Sequence, residues 1–578
     1  MNDDVEQIVW KHCLFNACKH DGKAEFKSVI GRVISERPDL KNQFQHIKNQ
    51  IEMVLKQVND LKSDDQIIML KNKFPDSYSN LVAPSVSVKK LPDLPNVTKG
   101  SFVVRLPPEP SGYMHIGHAM SGLINFFYAK EYDGKIWLRF EDTNPKTLWP
   151  DSNESNKEIY YDSFRSGYKL LGIHHDEERI VSDDLPKIYE YGEIMIKQNH
   201  AYVCQCSSDL IKANRHQGIA CSCKNNDNNS NVELWNKMHA REFKEGEAVV
   251  RLNSDMNSTD PSLRDPNLFR LIDYPHPRQE NNFNVWPVYD FAVVIEDYLC
   301  GISHVLRSLE FHETLQNRIR TLLDFPSLTT VQFSRFNFIG TPVAKRVLRP
   351  LLEQGKIASW DDPRMPTIAG LTKKGICAES IVEFTKEIGY TKSEHTFDWD
   401  VLNATNRKIL DPSVPRYFFV PNPIRLEVEN APEIEVEINH HPEKNLGTRK
   451  IKTNGVFFIS SNDLENMVVG DKFRLMEAYN VKLTKLNEIA HGIYDGPDII
   501  KGMNKIQWVT ADHVPFTVRN IGPLFINDSF NDESLIDVEG FAENACKSLS
   551  LNQLFQFIRV GFCKTDQERN NLAIRTHK

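Results

Sequence analysis

The spacing of apolar residues changes along the chain and predicts three kinds of structure in turn. In residues 1 to 96, apolar side chains recur every three or four positions, which is typical of amphipathic helices. The clearest stretch runs from Phe44 to Leu61, where the apolar residues form one stripe at heptad-like spacing. We therefore expect a helical N-terminal region, and nothing in it has the spacing of a catalytic motif.

From Ser101 onward, short apolar runs alternate with helical periodicity. Phe102 to Leu106 has the pattern of a buried strand, a Pro- and Gly-rich turn follows, and an amphipathic helix opens at His115. Lys135 to Phe140 has the pattern of a second strand. This alternation predicts an α/β domain with a doubly wound parallel sheet of Rossmann type.

After about Leu410, apolar and polar residues alternate with a period of two, which predicts strands. The apolar members of the first two runs are Ile424, Leu426, Val428, Ile434, Val436 and Ile438. Further runs of this kind are separated by turn signals. Residues 411 to 578 are therefore expected to be all-β and barrel-like.

Composition narrows the class of protein. A chain of 578 residues can form several domains, and none of its apolar runs approaches the ~20 residues of a membrane span. The first six residues are acidic and lack the apolar core of a signal peptide. These features predict a cytoplasmic protein without a membrane segment. The formal net charge of −8 argues against indiscriminate binding of nucleic acid.

The turn before the first helix has the chemistry of an anion site. Free N–H groups and the positive end of a helix dipole at this position favour a phosphate. Gly112 lets the backbone turn sharply, and Gly117 leaves room for a ligand on the helix. His115 and His118 are three residues apart, so both can donate to negatively charged oxygens from one side. The alternative is that the two histidines only cap an ordinary helix.

Four cysteines in two closely spaced pairs are a candidate metal site. The residues are Cys204, Cys206, Cys221 and Cys223. Four thiolates from two short turns suit tetrahedral Zn²⁺, although each pair is CxC rather than the commoner CxxC. His216 could replace one thiol, and free thiols are the alternative.

The stretch around the two histidines resembles the nucleotide-binding signature of class I aminoacyl-tRNA synthetases. The HIGH motif is intact as His115-Ile-Gly-His118, and the preceding Pro-Glu-Pro-Ser-Gly-Tyr-Met resembles the glutamyl and glutaminyl branch. A second block, Trp286 to Glu310, resembles the region that closes the amino-acid pocket in that branch. The β tail resembles the anticodon-binding barrels of archaeal and eukaryal glutamyl enzymes, whereas the bacterial branch has a helical cage there.

The region around Lys345 and Arg346 resembles the second class I signature, KMSKS, which in this branch usually reads LSKRK. Ala344 stands in place of the usual serine and Val347 in place of a basic residue, so a hydroxyl and a cation are missing. The resemblance implies that Lys345 neutralises charge on the leaving pyrophosphate.

The resemblance also implies the roles of single residues. The implied catalytic residues are His115, His118, Lys345 and Arg346. The implied ATP-binding residues are Glu109, Gly112, His115, Gly117, His118, Glu310 and Lys345. The implied glutamate-binding residues are Arg105, Glu141, Tyr289 and Arg307, with Glu141 on the α-amino group and Arg307 on the side-chain carboxylate.

The domain organisation implied by the resemblance has four parts. Residues 1–96 form a helical N-terminal extension that is a candidate docking site for a protein partner. Residues 97–335 form the Rossmann-type catalytic domain, with a zinc-knuckle insertion for the tRNA acceptor end at about 197–285. Residues 336–410 hold the KMSKS-like loop and a helical stem domain, and residues 411–578 form β-barrel anticodon-binding domains.

The implied reaction is the ligation of L-glutamate to tRNA(Glu). ATP, accompanied by Mg²⁺, activates glutamate to glutamyl-adenylate, and the glutamyl group then passes to the 3′ end of the tRNA. Whether tRNA(Gln) is also charged is left open by the sequence.

Three alternatives differ in substrate or activity. A glutaminyl-tRNA synthetase shares the fold, but Arg307 argues against it, because beside a neutral amide its guanidinium would be an uncompensated buried charge. A catalytically silent tRNA-binding paralogue is supported by Ala344 and Val347. A nucleotidyltransferase that acts without tRNA would not need the β tail.

Overall fold

The chain divides into two units, Met1–Lys90 and Leu91–Lys578. The structure is a computed structural model. It describes all residues except 1, 20–21, 38, 41–43, 76, 78–90, 150–154, 309–311, 343–344, 391, 393–394 and 527–528.

The first unit is helical, as its periodicity predicts. Its helices are α1 (Asn2–Lys19), α2 (Phe26–Glu36), α3 (Phe44–Asn59) and α4 (Ser63–Lys73). The apolar stripe of α3 is buried through Ile47, Ile51, Val54 and Val58, and it packs with the apolar faces of the other three helices. The helical N-terminal region is thereby confirmed.

A parallel sheet opens the second unit. Its elements up to the insertion are β1 (Val103–Leu106), α5 (Ile116–Glu131), β2 (Lys135–Phe140), α6 (Pro145–Leu148), α7 (Ile159–Leu170), β3 (Glu177–Ile180) and α8 (Leu185–Lys197). The strands β1, β2 and β3 pair in that order and all run parallel. α5 packs against these strands and buries Met120, Leu123 and Ile124, so the layer between helix and sheet is apolar.

An antiparallel four-stranded sheet interrupts the parallel one. Its elements are β4 (Ala201–Cys204), α9 (Ser208–Gln217), α10 (Asn228–His239), β5 (Val249–Leu252), β6 (Asn267–Leu271) and β7 (Val285–Pro287), and the strands pair in chain order. It is the region where the sequence predicts an insertion.

The parallel arrangement resumes after the insertion with α11 (Tyr289–Leu299), β8 (His304–Ser308), α12 (Glu313–Leu322) and β9 (Thr329–Phe333). β8 and β9 are parallel, and the N–H of Ser303 donates to the carbonyl of Val103 at 3.0 Å, which places β8 beside β1. The carboxyl ends of β1, β2 and β8 therefore share one edge. That edge is where open α/β sheets bind their ligands.

Helices then lead to the β region. The elements are β10 (Phe336–Phe338), α13 (Lys345–Glu353), α14 (Ile368–Lys374), α15 (Ala378–Ile388), β11 (His395–Phe397) and α16 (Trp399–Leu410). β10 and β11 form a two-stranded parallel pair.

The rest of the chain is strand-rich, as the period of two predicts. Its elements are β12 (Arg416–Tyr417), β13 (Phe419–Pro421), β14 (Pro423–Glu429), β15 (Ile434–Asn439), β16 (Thr448–Thr453), β17 (Val456–Ser460), α17 (Ser461–Leu464), β18 (Lys472–Leu475), β19 (Asn480–Leu486), β20 (Ala490–Tyr494), β21 (Asn504–Ile506), β22 (His513–Ile521), β23 (Phe525–Ile526), β24 (Ser529–Phe530), β25 (Leu535–Glu543), β26 (Leu554–Phe557), β27 (Gly561–Thr565) and β28 (Leu572–His577). Two large sheets result: a six-stranded one in the order β17-β14-β20-β19-β18-β21, and a seven-stranded one in the order β12-β26-β27-β28-β22-β25-β13. Each has its own apolar core. The domain boundaries that the sequence suggests remain a proposal.

The short hairpin β23–β24 connects the β region to the catalytic part. Phe525 and Phe530 join an apolar cluster with Leu348, Leu351 and Trp360. The hairpin of the β region therefore packs against α13, the helix that begins at the KMSKS-like positions.

Candidate active site and metal centre

His115 and His118 form a stacked pair at the start of α5. Their ring centroids are 3.7 Å apart. His115 caps the helix, because its Nδ1 accepts hydrogen bonds from the N–H groups of Gly117 (3.1 Å) and His118 (3.4 Å). His118 Nδ1 accepts from the N–H of His115 at 3.4 Å. Since both Nδ1 atoms accept, each Nε2 carries the ring proton and can donate it to a ligand oxygen.

Both imidazoles are neutral at neutral pH. Burial lowers the pKa of His115 to about 4. Burial, and then the neighbouring His115, lowers the pKa of His118 well below its ordinary value. The pair can therefore bind anionic oxygens through two N–H donors, but it brings no positive charge of its own.

The first turn of α5 does not offer the free N–H groups that the sequence suggests. The N–H of Ile116 donates to the carbonyl of Pro366 at 2.9 Å, and those of Gly117 and His118 donate to His115. An N-cap side chain satisfies the same donors that a phosphate would take. Donation to a ligand at this helix start therefore comes from the imidazoles instead of the backbone.

The other described candidates for ATP binding lie close to this turn. Glu109 is exposed and accepts a hydrogen bond from the Thr147 hydroxyl at 2.7 Å. Gly112 is half-buried in a bend. A Cβ on Gly117 would lie 3.0 Å from Cε1 of His115, so this glycine makes room for the capping imidazole.

Glu310 and Ala344 lie outside the described residues. The backbone of Lys345 and Arg346 forms the start of α13, while their side chains are not described. The catalytic assignment of this pair therefore stays a prediction.

A buried carboxylate, Asp297 on α11, organises the other half of the site. Its Oδ1 accepts hydrogen bonds from Nε of Arg105 (3.1 Å) and from Nη1 of Arg139 (2.9 Å). Nη2 of Arg320 lies 3.7 Å from Oδ2. The pKa of Asp297 is lowered, because the arginine charges outweigh the opposing effect of burial. Asp297 thus ties together β1, β2 and α12.

Arg105 presents two donors that no described residue uses. The side chain is fully buried at the end of β1, and only Nε is engaged by Asp297. Neither Nη1 nor Nη2 has a hydrogen-bond partner within the described parts of the chain. A buried guanidinium with two free terminal nitrogens is suited to a bidentate carboxylate.

Arg307 reaches the same region from β8. Its Nη1 donates to Oε1 of Gln316 at 2.5 Å, and the amide of Gln316 donates to Oδ1 of Asp290 at 2.7 Å. Burial and then the charge of Arg105 lower the pKa of Arg307. The two guanidinium groups therefore repel each other, which favours an anion beside them.

Glu141 and Tyr289 complete the predicted glutamate-binding set. Glu141 is buried directly after β2 and accepts a hydrogen bond from Nε of Arg139 at 2.8 Å. Burial raises the pKa of Glu141 against the opposing effect of Arg139. Tyr289 begins α11, and burial raises its pKa to about 12; the charges of Arg105 and Arg307 both act on its hydroxyl. The structure thus brings Arg105, Glu141, Tyr289 and Arg307 into one buried region.

The sequence motifs assign no role to Arg139, Asp297 and Gln316. Asp297 lies inside the second motif block, and Arg139 lies within a predicted strand, where charged residues are uncommon. A charged residue inside an otherwise apolar run is the sequence feature that points to a buried, functional charge at both positions.

The four cysteines lie together between β4, α9 and β5. Their Sγ atoms are all within 4.8 Å of one another, and Cys204 and Cys221 are buried. The Sγ atoms of Cys204 and Cys221 are 3.7 Å apart, and those of Cys206 and Cys223 are 3.8 Å apart. These separations suit four thiolates on one tetrahedral ion. His216 is not in this group.

In the part of the chain that the structure describes, we find no helix of the length and apolar character that a membrane crossing requires.

Comparison with protein-family models and with known proteins identifies the family of the chain. The catalytic-domain model of the class I tRNA synthetases for glutamate and glutamine (E and Q) matches residues 101–412. Two anticodon-binding-domain models of the same family match residues 414–495 and 505–566. The chain therefore belongs to the class I tRNA synthetases of the glutamate and glutamine branch, and it is an aminoacyl-tRNA synthetase.

Three archaeal relatives match along the whole chain. The glutamate–tRNA ligase of Nitrosopumilus maritimus is 36% identical over 587 residues, and that of Pyrococcus horikoshii is also 36% identical over 587 residues. The glutamate–tRNA ligase of Korarchaeum cryptofilum is 35% identical over 587 residues. Each alignment covers 100% of this chain and 100% of the relative.

Replacing Asp297 tests how strongly the arginines depend on it. We expect Asp297→Asn to lower the free energy of unfolding by about 3–5 kcal/mol, because buried guanidinium groups lose their carboxylate. Asp162→Asn is the matched control, since Asp162 is half-exposed and pairs with Arg165 at the surface, where such a pair contributes about 0–1 kcal/mol. Urea unfolding measures both. Equal losses in the two variants would contradict the central role of Asp297.

Acidification tests the protonation of the histidine pair. We expect neither ring to take up a proton between about pH 7.5 and about pH 5.5, because burial disfavours the cation. The unfolded chain protonates these rings first, so their contribution to the free energy of unfolding falls as the pH drops from about 6.5 toward about 4. NMR of labelled histidine, assigned with His115→Gln and His118→Gln, measures this. A titration of either ring near pH 6.5 would be inconsistent with neutral donors.

Proposed function

We propose that this synthetase ligates L-glutamate to tRNA(Glu), with ATP as the source of energy and Mg²⁺ accompanying the nucleotide. The observation that carries the proposal is the buried arginine pair at the ends of β1 and β8. Arg105 offers two terminal nitrogens and Arg307 adds a second charge nearby. A ligand with a side-chain carboxylate would satisfy the two terminal nitrogens of Arg105, whereas an amide would bring no negative charge to the arginine pair.

The first step joins glutamate to the nucleotide. The α-carboxylate of glutamate attacks the α-phosphorus of ATP, and pyrophosphate leaves. This nucleophile is already ionised, so the reaction needs positioning and charge stabilisation more than a general base. Arg105 and Arg307 hold the side-chain carboxylate, Glu141 supplies the negative charge for the α-ammonium group, and Tyr289 orients the amino acid.

The nucleotide lies on the other half of the site in this proposal. His115 and His118 donate from Nε2 to oxygens of the triphosphate. Being neutral, they stabilise developing charge as fixed dipoles. The cationic contribution to the leaving pyrophosphate then comes from Lys345 and Arg346 at the start of α13.

In the second step a ribose hydroxyl of the terminal tRNA adenosine takes the glutamyl group. The insertion between β4 and β7 grips the acceptor end, and the two β sheets bind the anticodon. Docking of a protein partner on residues 1–96 and a cytoplasmic location stay predictions.

Glutamate-dependent exchange of pyrophosphate into ATP tests the function. We expect exchange with glutamate and no comparable exchange with glutamine, measured with and without total tRNA. A preference for glutamine would overturn the assignment of the arginine pair. Tight tRNA binding without exchange by either amino acid would favour the silent paralogue.

Two arginine variants test the pocket itself. We expect Arg307→Ala and Arg105→Gln each to raise the KM for glutamate by about 30- to 1,000-fold, as removal of a buried charge partner costs about 2–4 kcal/mol. The KM for ATP should change less than about threefold. Arg165→Gln, which removes a surface arginine bound to Glu178, is the control for arginine loss in general. Equal losses toward glutamate and ATP would contradict the assigned roles.

We further propose that the four cysteines hold a structural Zn²⁺. The close approach of four Sγ atoms supports this, and zinc would tie the two CxC turns of the insertion together. Purified protein should contain about one equivalent of zinc, and Cys204→Ser with Cys223→Ser should remove it. Zinc-free protein of full thermal stability would contradict a structural ion.

A further inference from the structure

Arg251 is buried against the cysteine cluster. Arg251, on β5, is 1% exposed, and its Nη1 lies 3.7 Å from Sγ of Cys221 and 3.9 Å from Sγ of Cys204. Its Nε donates to the backbone carbonyl of Asp265 at 2.9 Å. Its guanidinium carbon lies 5.7 Å from the centre of the Tyr202 ring.

No carboxylate of the described residues is in direct contact with the guanidinium group of Arg251, and the charge of the buried Asp265 acts on it only from a greater distance. Among the described residues, no carboxylate oxygen lies within 4 Å of its guanidinium nitrogens, and Nη2 has no hydrogen-bond partner there. A guanidinium buried in this way is costly unless a negative group compensates it. Within the described residues, the side-chain partners of Nη1 are the two sulfurs, and neutral thiols would not supply that charge.

Metal binding would change the charge of those sulfurs. Only the thiolate form of cysteine binds zinc, so four ligands would surround one dication with two excess negative charges. A cation beside two of the four sulfurs then offsets part of that excess. The need of Arg251 for an anion and the excess charge of the centre are complementary.

We propose that Arg251 is the built-in counter-charge of the metal centre and determines its affinity for zinc. This inference rests on the zinc site proposed above. Arg251 acts through the sulfurs and does not bind the metal, so it is a positioning residue for the centre.

Asp265 and its neighbours hold the side chain of Arg251 in place before a metal binds. Asp265 is fully buried, and its carboxylate accepts from the Tyr202 hydroxyl (3.0 Å) and from the ammonium group of Lys224 (3.0 Å). Lys224 directly follows Cys223, and Tyr202 belongs to the strand that ends at Cys204. Asp265 thus holds both CxC turns through its side chain and Arg251 through its carbonyl. Preorganisation of this kind raises affinity because little ordering remains for the metal to impose.

Zinc affinity of full-length variants tests the proposal. We expect Arg251→Met, which keeps the length of the side chain and removes its charge, to weaken Zn²⁺ binding by about 10- to 100-fold in chelator competition, as loss of outer-shell partners does at other sites. Arg251→Lys should recover part of the affinity, since an ammonium group can still approach the sulfurs. Co²⁺ titration, read by the thiolate-to-metal absorption, shows whether all four cysteines still bind.

Arg264→Met is the matched control. Arg264 lies in the same insertion and donates to the carbonyls of Ser258, Arg215 and His216 without contacting a sulfur. We expect its zinc affinity to stay within about threefold of the unsubstituted protein. Thermal unfolding of each variant with and without Zn²⁺ separates loss of the fold from loss of the metal.

The outcomes are distinct. Unchanged zinc affinity in Arg251→Met, or equal weakening in Arg264→Met, would overturn the role of Arg251. Absence of stoichiometric zinc from the unsubstituted protein would overturn the metal site, and the role of Arg251 with it. Neither result would affect glutamate-dependent exchange as the test of the proposed function.

Discussion

The ion pairs of Asp297 are the constraint on which the amino-acid half of the site depends. Asp297 accepts from Arg105 and Arg139 and attracts Arg320, and Arg139 has Glu141 as a second carboxylate partner. The buried arginines of this region therefore outnumber its carboxylates, and the carboxylate of a ligand can offset the excess positive charge. If each arginine had its own carboxylate, the excess positive charge would be smaller and a bound anion would be stabilised less.

The nucleotide half is built on a different principle. Each of the two histidines accepts backbone hydrogen bonds at the start of α5 through one ring nitrogen, and burial keeps the rings uncharged. In the proposed function, the site therefore combines a strongly charged pocket for the amino acid with neutral, fixed donors for the triphosphate. Oriented dipoles of this kind need no reorganisation as charge develops, which is the favourable case for phosphoryl chemistry.

The β region also contacts the catalytic part. Phe525 and Phe530 of the β23–β24 hairpin pack in one cluster with Leu348 of α13, and the N–H of Phe525 donates to the carbonyl of Gly340 at 3.2 Å. The helix at the KMSKS-like positions therefore rests partly on the β region. Its position depends on packing that joins two parts of the chain with different secondary structure.

Much of the local structure could be predicted from residue spacing. The strand Lys135–Phe140 has the predicted bounds, the stripe from Phe44 onward forms α3, and the alternation after Leu410 forms β14 and β15. Periodicity succeeds here because each element buries one face, and that requirement acts on neighbouring residues. The paired CxC spacing likewise indicated a cluster, since its sulfurs come from turns only 17 residues apart.

Only the tertiary structure could decide charge and protonation. Arg105 and Arg139 reach Asp297 across 192 and 158 residues, and Arg251 reaches the cysteines across 30 and 47. No local pattern records such distances. The same holds for the histidines, which the motif presents as donors to a phosphate and the structure presents as neutral caps. The sequence by itself determined which residue types line the site. Burial in the folded chain decided which of them stay charged, because the cost of an ion depends on everything packed around it.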